Sequence, residues 1–152
     1  MQAGGTTEKG EHIADLSRFL KAQEYDYDQA LREIRAGRKR SHWMWYIFPQ
    51  IQGLGVTRTS EFYAIRDLDE AKAYLADPVL GARLKEISSA LLDLDGLSAS
   101  EIFGYPDDLK LRSCMTLFCL ADLNCDIFEK VLNKYYDGKA DDRTIRILKS
   151  LE

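Results

Sequence analysis

Residues 107–121 read DDLKLRSCMTLFCLA, and the second half of that run is apolar on every side. A helix with no polar face has to be buried, so the remainder of the chain must surround it. The segment therefore predicts an all-α fold organised on a buried central helix near 108–121. Its polar members then need an account. Lys110, Ser113 and Thr116 fall at i, i+3 and i+6 on one face, and polar groups in buried surroundings require partners. Either Ser113 and Thr116 bond back to the preceding turn while Asp108 and Arg112 pair on the surface, or this face belongs to a ligand site.

The rest of the chain supplies helices to cover that centre, and most of them begin at a recognisable cap. Asp15 opens a helix to about Gln23 with Leu16, Phe19 and Leu20 on one face, and Tyr27, Ala30, Leu31 and Ile34 repeat with helical period from about Asp26 to Ala36, where Gly37 can end the helix. Asp67 with Glu70 makes a capping-box pattern. Asp77-Pro78 starts an amphipathic helix that carries to about Asp93. Ser98 with Glu101 is a second capping box, Ile127, Phe128, Val131, Leu132 and Tyr135 mark a later helix, and Asp141 or Asp142 caps a terminal turn. No repeat of fixed period and no sustained strand alternation occurs. The expectation is a single helical domain of seven to eight helices over residues 12–152, preceded by a flexible tail at 1–11 whose residues are small, polar and Gly-rich.

The run Arg38-Lys39-Arg40-Ser41-His42-Trp43-Met44-Trp45-Tyr46-Ile47-Phe48-Pro49 holds three consecutive cations, one of two histidines and both tryptophans. Cations beside the C-terminal end of a helix complement its dipole, but four in the six residues 35–40 exceed what one helix end requires. Ser41 can cap a short helix over 42–48; a buried strand is the competing reading. As a helix, its N-terminus would join the cations in attracting an anion. Residues i and i+2 face different ways, so only one tryptophan can line a pocket there, and the reading places Trp43 toward it with Trp45 packing inward. Gly53 and Gly55 in the following segment suit a loop that lets backbone approach a ligand, although no Walker or dinucleotide-binding glycine motif is present.

Composition removes several classes of function. Among 152 residues, 21 Lys and Arg against 25 Asp and Glu give a net charge of −4, which argues against a protein that coats duplex nucleic acid. No apolar run approaches the roughly 18 residues of a membrane span, and the N-terminus lacks a signal-peptide core, so a cytoplasmic protein with no membrane association is expected. Cys114, Cys119 and Cys125 have no nearby histidine to complete a zinc site and read as reduced core thiols. Neither a metal nor a cofactor is expected; a thiol nucleophile paired with His42, or haem on His42, has no other residue in support.

The runs DLSRFLKAQ (15–23), GRKRSHWMWYIFPQIQGLG (37–55), YLADPVLGARL (74–84) and PDDLKLRSCMTLF (106–118) together resemble an uncharacterised bacterial family, often termed a domain of unknown function and sometimes labelled calpastatin. The resemblance spans about residues 13 to 148 and is carried most specifically by His-Trp-Met-Trp and by Lys-x-x-Ser-x-x-Thr-x-Phe. It implies a predominantly helical fold and no particular activity. Cys114 stands where a serine is common in the family, and nothing in these residues supports the protease inhibition that the calpastatin label suggests.

The functional expectation is a small-ligand protein that binds an anion of the nucleotide or ADP-ribose type, as an enzyme or otherwise. Arg38, Lys39, Arg40 and Trp43 would bind from one side, with Asp108, Lys110, Ser113 and Thr116 on the other. His42 and Asp107 would be the catalytic pair, as proton shuttle and base. A rival reading makes 35–40 a surface patch for a protein or single-stranded nucleic acid. A third gives both blocks a structural role through buried ion pairs between helices.

Overall fold

The computed structural model describes residues 15–122, 124 and 126–152; the expected tail, His12 and Cys125 lie outside them. Among the described residues are nine α-helices: α1 Ser17–Arg35, α2 Met44–Ile47, α3 Arg58–Phe62, α4 Leu68–Ala76, α5 Leu80–Leu92, α6 Ala99–Phe103, α7 Asp107–Ala121, α8 Ile127–Tyr136 and α9 Asp142–Ser150. The class is all-α, as the capping and periodicity imply. The single β feature among the described residues is an isolated parallel bridge between Ile51 and Ile65, in which the Ile65 N–H donates to the Gln50 carbonyl and the Gln52 N–H to that of Ile65, both at 2.8 Å.

The two helices expected between Asp15 and Ala36 are one, α1. Gln23 hides the continuity, being a polar residue on the apolar stripe of Phe19, Tyr27, Ala30 and Ile34. It is only 1% exposed, because its amide donates to the Tyr46 carbonyl at 2.8 Å and to the Tyr74 hydroxyl at 2.9 Å. A buried polar group so satisfied does not interrupt a helix.

Two capping expectations resolve differently. Ser98 and Glu101 form the reciprocal capping box of α6. At α4 only half of the box exists: Asp67 accepts the Glu70 N–H at 2.8 Å, but the Glu70 side chain turns inward, 2% exposed, to the Arg66 N–H and the Arg18 and Arg66 guanidiniums. A buried carboxylate with two cations in reach serves as an anchor between α1 and α4.

Helix α7 is the centre that its composition implies. It packs against α4, α6, α8 and α9, with Leu111, Cys114, Met115, Leu117 and Phe118 fully buried. Each large apolar side chain so enclosed contributes about 1.5–3 kcal/mol. Burial also pushes the Cys114 thiol well above its ordinary range, so it is held as an inert thiol. Among the described residues no helix is long and apolar enough to cross a membrane.

Candidate functional site

The run 38–43 is shaped by a carboxylate. Glu33, near the end of α1, is 8% exposed and accepts the backbone N–H groups of Arg40 (2.8 Å) and Ser41 (3.0 Å), the Ser41 hydroxyl (2.7 Å) and the Trp43 indole N–H (2.9 Å). Burial by itself would raise its pKa. The hydrogen bonds from Ser41, Arg40 and Trp43 outweigh that and lower it to about 2. Ser41 is thus drawn to Glu33 and does not cap α2, which is shorter than expected and has no side-chain cap.

This arrangement corrects the assignment of the tryptophans. Trp43 is 1% exposed, packed against Phe48 and Phe103, and has no ring face for a ligand. Trp45 is the half-buried one. The cations also part company. Arg38, Arg40 and His42 are exposed, whereas the Lys39 side chain is 8% exposed and its ammonium reaches Asp107 at 2.9 Å.

The two polar blocks meet at Asp107. Lys39 binds one carboxylate oxygen and Lys110 the other at 3.3 Å; the same two ammoniums lie 5.2 Å from the Trp43 ring centre and 5.4 Å from that of Trp45. Asp107 is therefore a junction that holds two cations, one at each carboxylate oxygen.

Beyond Asp107 the second block turns to docking α9. Thr116, 1% exposed, donates its hydroxyl to the Arg112 carbonyl at 2.8 Å and accepts the Asp141 N–H at 2.8 Å. Ser113 lies within hydrogen-bond reach of the Leu109 carbonyl and the Asp141 carboxylate. Asp141 in turn caps α9 through the Thr144 N–H at 3.0 Å. Arg112 makes no ion pair with Asp108 among the described residues and clamps the carbonyls of Lys139 and Ala140 at 2.8 and 2.9 Å. Thr116 thus faces a helix end, and Asp108 accepts the Leu109 N–H with its side chain and the Tyr136 hydroxyl with its carbonyl.

A cleft opens between the 50–57 loop and α7. It encloses about 570 Å³ and is lined by Trp45, Gln50, Leu54, Gly55 and Ser60 on one wall and by Tyr105, Leu109, Lys110, Ser113 and Arg143 on the other. Of the residues singled out from sequence, Lys110 and Ser113 reach it; Arg38, Lys39, Arg40, His42, Trp43, Asp107, Asp108 and Thr116 do not line it. The loop lies close on Ser60, since a Cβ at Gly55 would stand 2.6 Å from the Ser60 hydroxyl. None of the backbone N–H groups of residues 53–57 donates to another group of the described chain. The same holds for the side chains of Gln50 and Arg143 and for the Trp45 indole N–H, so the cleft gathers donors and positive charge with few internal partners.

Sequence reasoning passed over Trp45, Gln50 and Arg143 as lining residues. The glycine spacing at 53 and 55 was the available signal for the loop. Arg143 has no local signature, because it reaches the cleft only when α9 docks on α7.

Among known proteins, the model of a family described as "Protein of unknown function (DUF1810)" matches residues 13–148. No curated protein matches the chain. Among solved structures, that of the conserved hypothetical protein Rv1873 from Mycobacterium tuberculosis is similar at 48% identity and a TM-score of 0.88, over 89% of this chain and 96% of that one.

Proposed function

This chain belongs to the DUF1810 family, which brings no activity with it, and we propose from its own geometry that the cleft beside Trp45 binds a small anionic ligand with a flat ring, of the nucleotide or ADP-ribose kind. The observation that carries this reading is the gathering, in one cleft, of loop residues 54–57, whose backbone N–H groups have no partner among the described residues, with Lys110, Arg143 and the half-buried Trp45. Backbone N–H groups with two cations beside them suit phosphate oxygens, and an aromatic face suits a base. Asp107 then acts as a positioning residue that holds the Lys110 ammonium at the cleft wall.

A thermal-shift series with ADP, ADP-ribose, sugar phosphates and inorganic pyrophosphate tests the proposal. A ligand at one hundred times its Kd stabilises the fold by about 2.7 kcal/mol, which for a chain of this size is a rise of roughly 5–10 °C. Lys110→Ala is expected to weaken binding about tenfold or more, and the pair Arg38→Ala, Arg40→Ala to leave it unchanged. No rise with any compound contradicts the cleft. Loss of binding in the arginine pair alone favours the rival reading, in which the exposed 35–40 segment is the interaction surface.

A further inference from the structure

A second, smaller cavity of about 260 Å³ is lined by the same glycine loop. It shares Trp45, Gln50, Leu54, Gly55 and Ser60 with the cleft and extends to Gln52, Glu61 and Tyr63. The two chambers thus adjoin at Leu54 and Gly55, and they differ in charge. The larger presents Lys110, Arg112 and Arg143 against one carboxylate, that of Asp141, which is engaged by Thr144 and Ser113. In the smaller the one charged side chain is Glu61, an exposed carboxylate with no hydrogen bond or ion pair to another described residue.

Building on the anion-binding reading of the cleft, we propose that the smaller chamber is a ribose subsite, with Glu61 as the residue that selects a ribonucleoside phosphate over a bare polyphosphate. The charge division dictates the orientation. A phosphate is repelled by Glu61 and attracted by Lys110 and Arg143, so the anionic end lies in the larger chamber. The other end of the ligand has to be uncharged and rich in hydrogen-bond donors. A carboxylate with vacant lone pairs accepts hydrogen bonds from two neighbouring hydroxyls, which is how acidic residues read a ribose diol elsewhere. The amides of Gln50 and Gln52 and the ring of Tyr63 complete a wall that suits a sugar and the edge of a base.

The experiment compares ADP, its 2′,3′-dideoxy counterpart and inorganic pyrophosphate by calorimetric titration on the wild-type chain and on Glu61→Gln. Glu61 has no intramolecular partner among the described residues, and an unchanged melting temperature of the variant checks that it folds. The wild-type chain is expected to bind ADP at least tenfold more tightly than either pyrophosphate or the dideoxy compound. Glu61→Gln should remove most of that preference and leave pyrophosphate as before, or slightly tighter. Equal affinity for ADP and pyrophosphate, or equal affinity for ADP and its dideoxy form, overturns the ribose subsite while the anion site stands. Absence of all binding overturns both.

Discussion

Glu33 accepts hydrogen bonds from the chain that the sequence presents as a basic run, and this makes a carboxylate the organiser of a cationic segment. Its low pKa has a direct consequence. With a folded-state value of about 2 against an ordinary 4.5, the unfolded chain binds the proton first as pH falls. The stabilisation is therefore complete above the ordinary value and is lost as pH falls toward the folded one. Glu33→Gln is expected to lower stability at neutral pH by about 1–3 kcal/mol, the scale of hydrogen bonds to a charged acceptor. Urea unfolding at several pH values checks this: the gap between wild type and variant should narrow between about pH 5 and pH 2. A gap that stays constant through that window would mean that the carboxylate charge does not matter. Glu33 was legible only in part. It lies three residues after Ala30 on the buried side of α1, but what it bonds to is decided by the fold of residues 40–43.

Among the elements, α9 is attached to α7 by a small set of polar contacts, in which Thr116, Ser113 and Arg112 hold the segment 139–141. Thr116→Val removes the acceptor of the Asp141 N–H and should cost about 1–3 kcal/mol. Hydrogen exchange gives the more specific reading: amides of α9 should exchange faster while those of α1 and α5 hold their protection. A uniform change across all helices would contradict a local docking role. The periodicity that marks Lys110, Ser113 and Thr116 as one polar face is real, and the back-bonding alternative holds for Ser113 and Thr116 but not for the pairing of Asp108 with Arg112. Ser113 and Thr116 do bond back to the preceding turn, yet both also hold α9. Helix type and most starts were legible because caps and apolar spacing are local. The merging of the first two helices was not, because the partners of Gln23 come from α2 and α4.

At the scale of the whole molecule, the all-α class follows from the apolar centre of α7, while the cleft follows from tertiary placement. Its walls come from α2, the 50–57 loop, α3, α7 and α9, which lie up to about a hundred residues apart in the chain. No local rule decides which of two tryptophans at i and i+2 turns inward. Here the Glu33 carboxylate takes the indole N–H of Trp43, and Trp45 is left at the cleft beside Lys110. Because the chain has two tryptophans, the central claim reduces to a two-signal measurement. In a nitrogen–proton NMR spectrum of the labelled chain, with the indole peaks assigned through Trp45→Phe, titration with ADP should shift the Trp45 indole signal and leave that of Trp43 in place. A Trp43 shift with Trp45 unmoved, or no shift of either at saturating ligand, would contradict the cleft as the binding site.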